Sequence, residues 1–162
     1  MRVVSNTSPI SNPASVGRLE ILRRRYDSVR IPPEVAAELA ALSHPAGKQR
    51  VEAAVSDGWL VVAQLADIPP LPLPFPLDDG EVAAITLACQ FKADVLLIDE
   101  KLGREAARQM ALSVAGALGE LVHAKLAGWI PNVTNEIRRL RVEAGFFVDA
   151  EVERFILSQA EE

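Results

Sequence analysis

Four oxygen-bearing side chains stand where an α/β chain keeps its sites: Asn6, Glu38, Glu81 and Asp99. Asn6 follows the β-branched run at 2–5, and Asp99 follows the apolar run at 94–98. Glu81 closes the acidic turn Asp78-Asp79-Gly80-Glu81 ahead of an apolar helix, and Glu38 lies on a helix after a second short strand. In a parallel sheet, strand ends and the helix starts that follow them converge on one edge, where open α/β sheets bind ligands. That edge would gather Asn6, Glu81 and Asp99, with Glu38 leaning in from its helix. Packed carboxylates raise one another's pKa values unless a cation neutralises them. Mg²⁺ or Mn²⁺ suits such hard oxygen ligands. Ions of this kind clamp a phosphodiester and activate a water for in-line attack.

Each residue also has a purely structural reading. Asp78 to Glu81 fits a capping box, with Asp78 as N-cap and Glu81 three residues on. Glu38 fits an exposed helix position, and Asn6 an Asx turn. Asp99 and Glu100 both fit as caps of the helix that begins near Lys101. Either could be the inward residue; Asp99, directly after the apolar run, is preferred and Glu100 held second.

The elements that would position these groups alternate. Strands are expected at 2–5, 28–31, 59–63, 94–98 and 112–116, from short β-branched or apolar runs. Asn6-Thr7-Ser8-Pro9 reads as a loop leaving the first strand. Helices are expected at 16–26, 34–42, 45–56, 79–91, 101–110, 117–130, 133–145 and 149–162, the last capped by Asp149. Residues 64–77 hold five of the eleven prolines, which exclude helix and central strand and predict an extended connection. Strands alternating with helices predict a mainly parallel sheet covered on both faces. The length of 162 residues predicts one domain, 1–162.

Composition narrows the classes. A net charge of −5 argues against bulk electrostatic binding of nucleic acid, although basic clusters occur at Arg23-Arg24-Arg25 and Arg138-Arg139-Arg141. The lone cysteine, Cys89, excludes an internal disulfide, and with no secretory leader it predicts a cytoplasmic protein. No stretch reaches the roughly 18 apolar residues of a membrane helix. His44 and His123 lie far apart without cysteine partners, which leaves zinc unsupported. No GxGxxG, GxxxxGK[ST] or GxSxG motif occurs, so dinucleotide binding, P-loop and serine-hydrolase readings fall away. A receiver-like phosphoacceptor at Asp99 lacks the acidic pair it needs after the first strand.

Longer stretches carry a resemblance. VVSNTSPI (3–10), VGRLEIL (16–22), RIPPEVAAEL (30–39), LDDGEVAAITLA (77–88), DVLLIDEKLGREAA (94–107) and VAGALGELVHAKLAGWIP (114–131) resemble PIN domains of the VapC-like kind, specifically the DUF3368 branch. The resemblance implies a Rossmann-like α/β/α sandwich and a Mg²⁺- or Mn²⁺-dependent ribonuclease, commonly the toxin of a toxin–antitoxin pair. Its acidic positions fall on Asn6, Glu38, Glu81 and Asp99, with Asn6, Glu81 and Asp99 as metal ligands. Thr7 and Ser8 follow where the family often places a hydroxyl. The implied partners are an RNA substrate, a small antitoxin protein and a second copy in a homodimer. Asn6 departs from the Asp typical of PIN nucleases, although this branch also carries asparagine. An amide oxygen coordinates a hard cation without adding charge, so an alternative is a degenerate PIN domain that binds RNA or protein with little cleavage.

Overall fold

In the computed structural model, which describes residues 1–162, five short strands form one parallel sheet. They are β1 (Val3–Ser5), β2 (Val29–Ile31), β3 (Leu60–Val62), β4 (Val95–Leu97) and β5 (Val114–Ala115). Their order is β3-β2-β1-β4-β5, so the chain steps outward from β1, then crosses back to β4 on the other side. β1 and β4 therefore flank the point where strand order reverses, and a crevice opens beyond their carboxyl ends. Ser5 lies opposite Leu97 in this pair, and the Asn6 amide donates to the Leu97 carbonyl at 2.9 Å.

Side-chain alternation along these strands builds a core on each face. Val3 and Leu97 enter one cluster, whereas Val4, Leu96 and Ile98 enter the other. The first face is covered by α1 (Ser8–Ser15), α2 (Glu20–Tyr26), α3 (Pro33–Ala40) and α4 (Pro45–Ser56). The second is covered by α5 (Asp79–Phe91) and α6 (Lys101–Gln109). A third cluster is made by α7 (Ala117–Leu126), α8 (Val133–Ala144) and α9 (Ala150–Gln159), packed on α1 and α2. The expected sandwich of helices on both faces of a parallel sheet is thus the observed one.

The proline-rich stretch 64–77 contains no helix or strand. Its Leu65, Leu71, Leu73, Phe75 and Leu77 pack against the core beneath α5 and α6. One expectation is corrected. Residues read as a loop after β1 form the helix α1. Pro9 sits in its first turn, where a missing N–H costs nothing, and the Thr7 carbonyl accepts from Ile10 and Ser11. The helix expected at 16–26 correspondingly shortens, with α2 starting at Glu20.

Two buried carboxylates tie the third cluster to α2 and the turn before it. Glu120 accepts from Tyr26 (2.7 Å) and Arg25 (2.9 Å), and Glu136 accepts from Arg18 (2.6 Å). Removing one partner of such a pair leaves the other buried and unpaired. The sheet centre is apolar, and Leu97 is fully buried in it. Leu97→Ala is expected to lower unfolding free energy by about 2–5 kcal/mol, read from urea denaturation at constant m-value.

Candidate active site

Asn6 leaves β1 and Asp99 follows Ile98 beyond β4, so the strand pairing itself brings these two residues to the switch point. The N-terminus of α1 opens there too. Thr7 Oγ1 donates to Glu38 Oε2 (2.5 Å) and Ser8 Oγ donates to Glu100 Oε1 (3.0 Å). The positive end of the α1 dipole thus faces two carboxylates, which it favours. Glu38 reaches this edge from α3 because α5 begins with a glycine at the contact. A Cβ on Gly80 would overlap Glu38 Oε1, so a side chain there would push the Glu38 carboxylate aside.

Glu81 is buried at the start of α5. The capping-box expectation is met: Asp78 Oδ1 accepts from the Glu81 amide (2.8 Å), and Glu81 Oε2 accepts from the Asp78 amide at a weak 3.4 Å. Burial pushes the Glu81 carboxyl above its usual range, and the charges of Asp78, Glu100 and Glu38 push it further. Asp78, Glu38 and Glu100 therefore form a group of acids around Glu81.

Asp99 sits to one side of that group. Its Oδ1 accepts from the Ala117 amide (2.8 Å) at the start of α7, and Arg104 and Glu100 are the charges that act on it. Gly116 makes this corner possible, because a Cβ there would stand 2.8 Å from Asp99 Oδ1 and 2.9 Å from Arg104 Nη1. Burial raises the Asp99 pKa to about 6, against the partial relief supplied by the Ala117 amide. Both Asp99 and Glu100 thus reach the edge, Glu100 toward Ser8 and Glu81, Asp99 toward α7 and Arg104.

Two acceptors at this edge have no donor. Asn6 Oδ1 and Asp99 Oδ2 are buried and form no hydrogen bond. Unsatisfied buried oxygens are costly and uncommon. Oxygen donors of this kind are the type that a hard divalent cation takes. No three Asp, Glu, His or Cys side chains are grouped closely enough to enclose one. Glu38, Glu81, Asp99 and Glu100 each take a hydrogen bond from a nearby protein donor. The amide of Asn6 stands outside any such acid-only grouping.

Other candidates are structural. His44 Nδ1 accepts from the Gly47 amide as the cap of α4, and His123 stacks edge-on against Trp129. The basic clusters are engaged: Arg25 with Glu120, Arg139 with Glu136 and Glu143, and Arg141 with Glu153. Gly80, Gly116 and Arg104 carried no signal as isolated letters, since their role depends on which helices meet.

A five-stranded parallel sheet with acids at its switch point defines a PIN-like fold. A model of the DUF3368 family, a PIN domain, matches residues 2–162, and the chain belongs to that family. PIN domains are generally nucleases and usually use divalent metals. Among solved structures the chain is similar to a PilT N-terminus domain protein from the hyperthermophilic archaeon Sulfolobus solfataricus P2. Identity is 17%, coverage is 76% of this chain and 93% of that one, and the TM-score is 0.54, which shows the shared fold. No curated protein matches the chain. No helix is long and apolar enough to cross a membrane.

The raised Asp99 pKa has a sign that can be checked. An acid with a folded pKa near 6 against a model value of 3.8 binds protons more tightly when folded. Its contribution is most favourable below the unfolded pKa and is lost as pH rises through about 6. In EDTA, Asp99→Asn should therefore gain stability relative to wild type as pH rises from about 4 to 7. The gain is on the order of 2–3 kcal/mol at about 1.4 kcal/mol per pKa unit, measured by thermal melts across pH.

Proposed function

We propose that this PIN domain is a metal-dependent endoribonuclease of the VapC type that cleaves RNA phosphodiesters. The observation that carries the reading is the pair of buried, donorless oxygens, Asn6 Oδ1 and Asp99 Oδ2, beside the carboxylates of one sheet edge. Asn6, Glu81 and Asp99 would hold Mg²⁺ or Mn²⁺. When bound, the ion supplies Lewis acidity toward the phosphodiester and toward water.

The chain's own groups do the rest. Glu38, pinned by Thr7 and close over Gly80, orients the attacking water and accepts its proton. The Ala117 amide fixes one Asp99 oxygen and leaves the other aimed at the edge. Arg104, anchored on the Ile98 carbonyl at 2.8 Å, stands beside Asp99 with a guanidinium that can meet a phosphate oxygen. By its resemblance to VapC-like proteins, the proposal extends to a toxin role, a small antitoxin covering the acidic cleft and a homodimer.

A second reading is a degenerate PIN domain that binds RNA or protein. It is favoured by the neutral amide at Asn6 and by the lack of a three-acid grouping. Cleavage of RNA in Mg²⁺ or Mn²⁺ separates the two. The nuclease reading expects Glu81→Gln and Asp99→Asn to cut at least about a hundredfold more slowly, the upper range for loss of even an outer-shell group. Wild-type rates in both variants would mean the site is elsewhere. Asn6→Asp that sharply raises Mn²⁺ affinity and cleavage would mark the natural chain as impaired and support the binding-module reading.

A further inference from the structure

The helix that delivers Thr7 and Ser8 to the acidic edge cannot hold its own place. α1 is eight residues long, shorter than the roughly 12–15 residues a helix needs to be stable alone. It also carries Pro9 and Pro13. Pro13, inside the helix, has no N–H to give to the carbonyl one turn back. The last carbonyls lack helical partners, as at any helix C-terminus. The following chain supplies only some of the missing donors: Gly17 donates to Ala14 at a long 3.3 Å, and Arg18 donates to Pro13 at 2.8 Å.

Two guanidinium groups from other helices complete that end. Arg50, on α4, donates through Nη1 to the Ala14 carbonyl at 2.6 Å and, weakly at 3.5 Å, to that of Ser15. Arg139, on α8, donates through Nη2 to the Val16 carbonyl at 2.6 Å. Arg50 follows Gly47 by three residues and so shares its face of α4. Gly47 lets that face close on α1, since a Cβ there would stand 3.2 Å from Ser15 Oγ and 3.3 Å from Ser15 Cα. Arg139 also faces Glu136 and Glu143, whereas Arg50 makes no ion pair and gives both its hydrogen bonds to α1. Cations suit the negative end of a helix dipole, and Glu38 and Glu100 stand at the positive end of this one. α1 is therefore matched in charge at both ends.

We propose that Arg50, together with Arg139, is a positioning residue for the acidic edge, acting through α1. A rigid helix carries a displacement of its C-terminus to its first turn. There Thr7 and Ser8 hold Glu38 and Glu100 by hydrogen bonds, and Asn6 directly precedes them. A shift of α1 along its axis loosens both contacts and moves Asn6. The inference rests on the reading of this edge as a metal site and deepens it, by adding residues that touch neither the ion nor the acids. An ordinary cap would steady only the last turn of α1, and that difference can be measured.

The test pairs hydrogen exchange in EDTA with Mn²⁺ binding, followed by the paramagnetic resonance signal of free Mn²⁺. Arg50 is exposed, so its replacement leaves the core intact. The amides of Ile10 and Ser11 donate to the Thr7 carbonyl and report on the first turn. Arg50→Ala is expected to speed their exchange at least about tenfold. It should weaken Mn²⁺ binding about tenfold, the lower end of the loss on removing an outer-shell partner. Arg50→Lys keeps a donor for the Ala14 carbonyl and should restore most of the affinity. Val148→Ala, in the cluster of α7 to α9, is the stability control: it should lower the melting temperature and move neither readout. Exchange that quickens only at Gly17 and Arg18 would mark Arg50 as an ordinary cap and overturn the proposal. Wild-type Mn²⁺ affinity in Arg50→Ala, or an equal loss in Val148→Ala, would overturn it too. Wild-type protein that binds no Mn²⁺, while Ile10 and Ser11 still exchange faster in Arg50→Ala, sinks the metal reading and sustains the seating of the edge by Arg50.

Discussion

The parallel pairing of β1 with β4 is the constraint on which the rest depends. Because Ser5 lies opposite Leu97, the chain must leave both strands at the same level, and Asn6 and Asp99 emerge together. Each strand then feeds a helix, α1 or α6, whose first turn lines the same crevice. A one-residue slip would send Leu97 and Ile98 to opposite cores and turn the whole edge over. The apolar packing of the sheet therefore fixes the chemistry that follows it.

The carboxylates gathered by that pairing have no cation of their own within the edge except Arg104, which stands beside Asp99. The fold tolerates them by three physical means. Hydroxyls and amides of α1, α5 and α7 donate to Glu38, Glu100, Glu81 and Asp99. The α1 dipole adds a positive end. Burial shifts Asp99 and Glu81 toward their neutral forms. These measures leave Asn6 Oδ1 and Asp99 Oδ2 without donors, and a hard cation would satisfy both while relieving the repulsion.

Much of this was legible in the sequence. Periodicity located α4 and α5 at their observed bounds and placed all five strands within two residues of where they form. The alternation of strand and helix implied the parallel sheet. The helix α1 was hidden because Asn-Thr-Ser-Pro has turn chemistry, and only the capture of its first carbonyl by Ile10 and Ser11 decides for a helix. Asn6, Glu81 and Asp99 were legible as strand-end and helix-start polar residues, and Glu38 as a carboxylate further along the helix after β2. The split between Asp99 and Glu100 was not, because it depends on which neighbouring helix each meets: Ala117 for one, Ser8 for the other. The glycines at 80 and 116 likewise become meaningful only once the helices around them converge.

The central claim is that Asn6, Glu81 and Asp99 together hold a divalent ion. The most direct measurement is anomalous scattering from crystals soaked in Mn²⁺. One ordered peak is predicted at the β1–β4 edge, with oxygens of Asn6, Glu81 and Asp99 about 2.0–2.3 Å away, directly or through the ion's waters. A saturating soak that leaves this edge without a peak, or a peak held by Glu38 and Glu100 with Asn6 and Asp99 turned away, would contradict it.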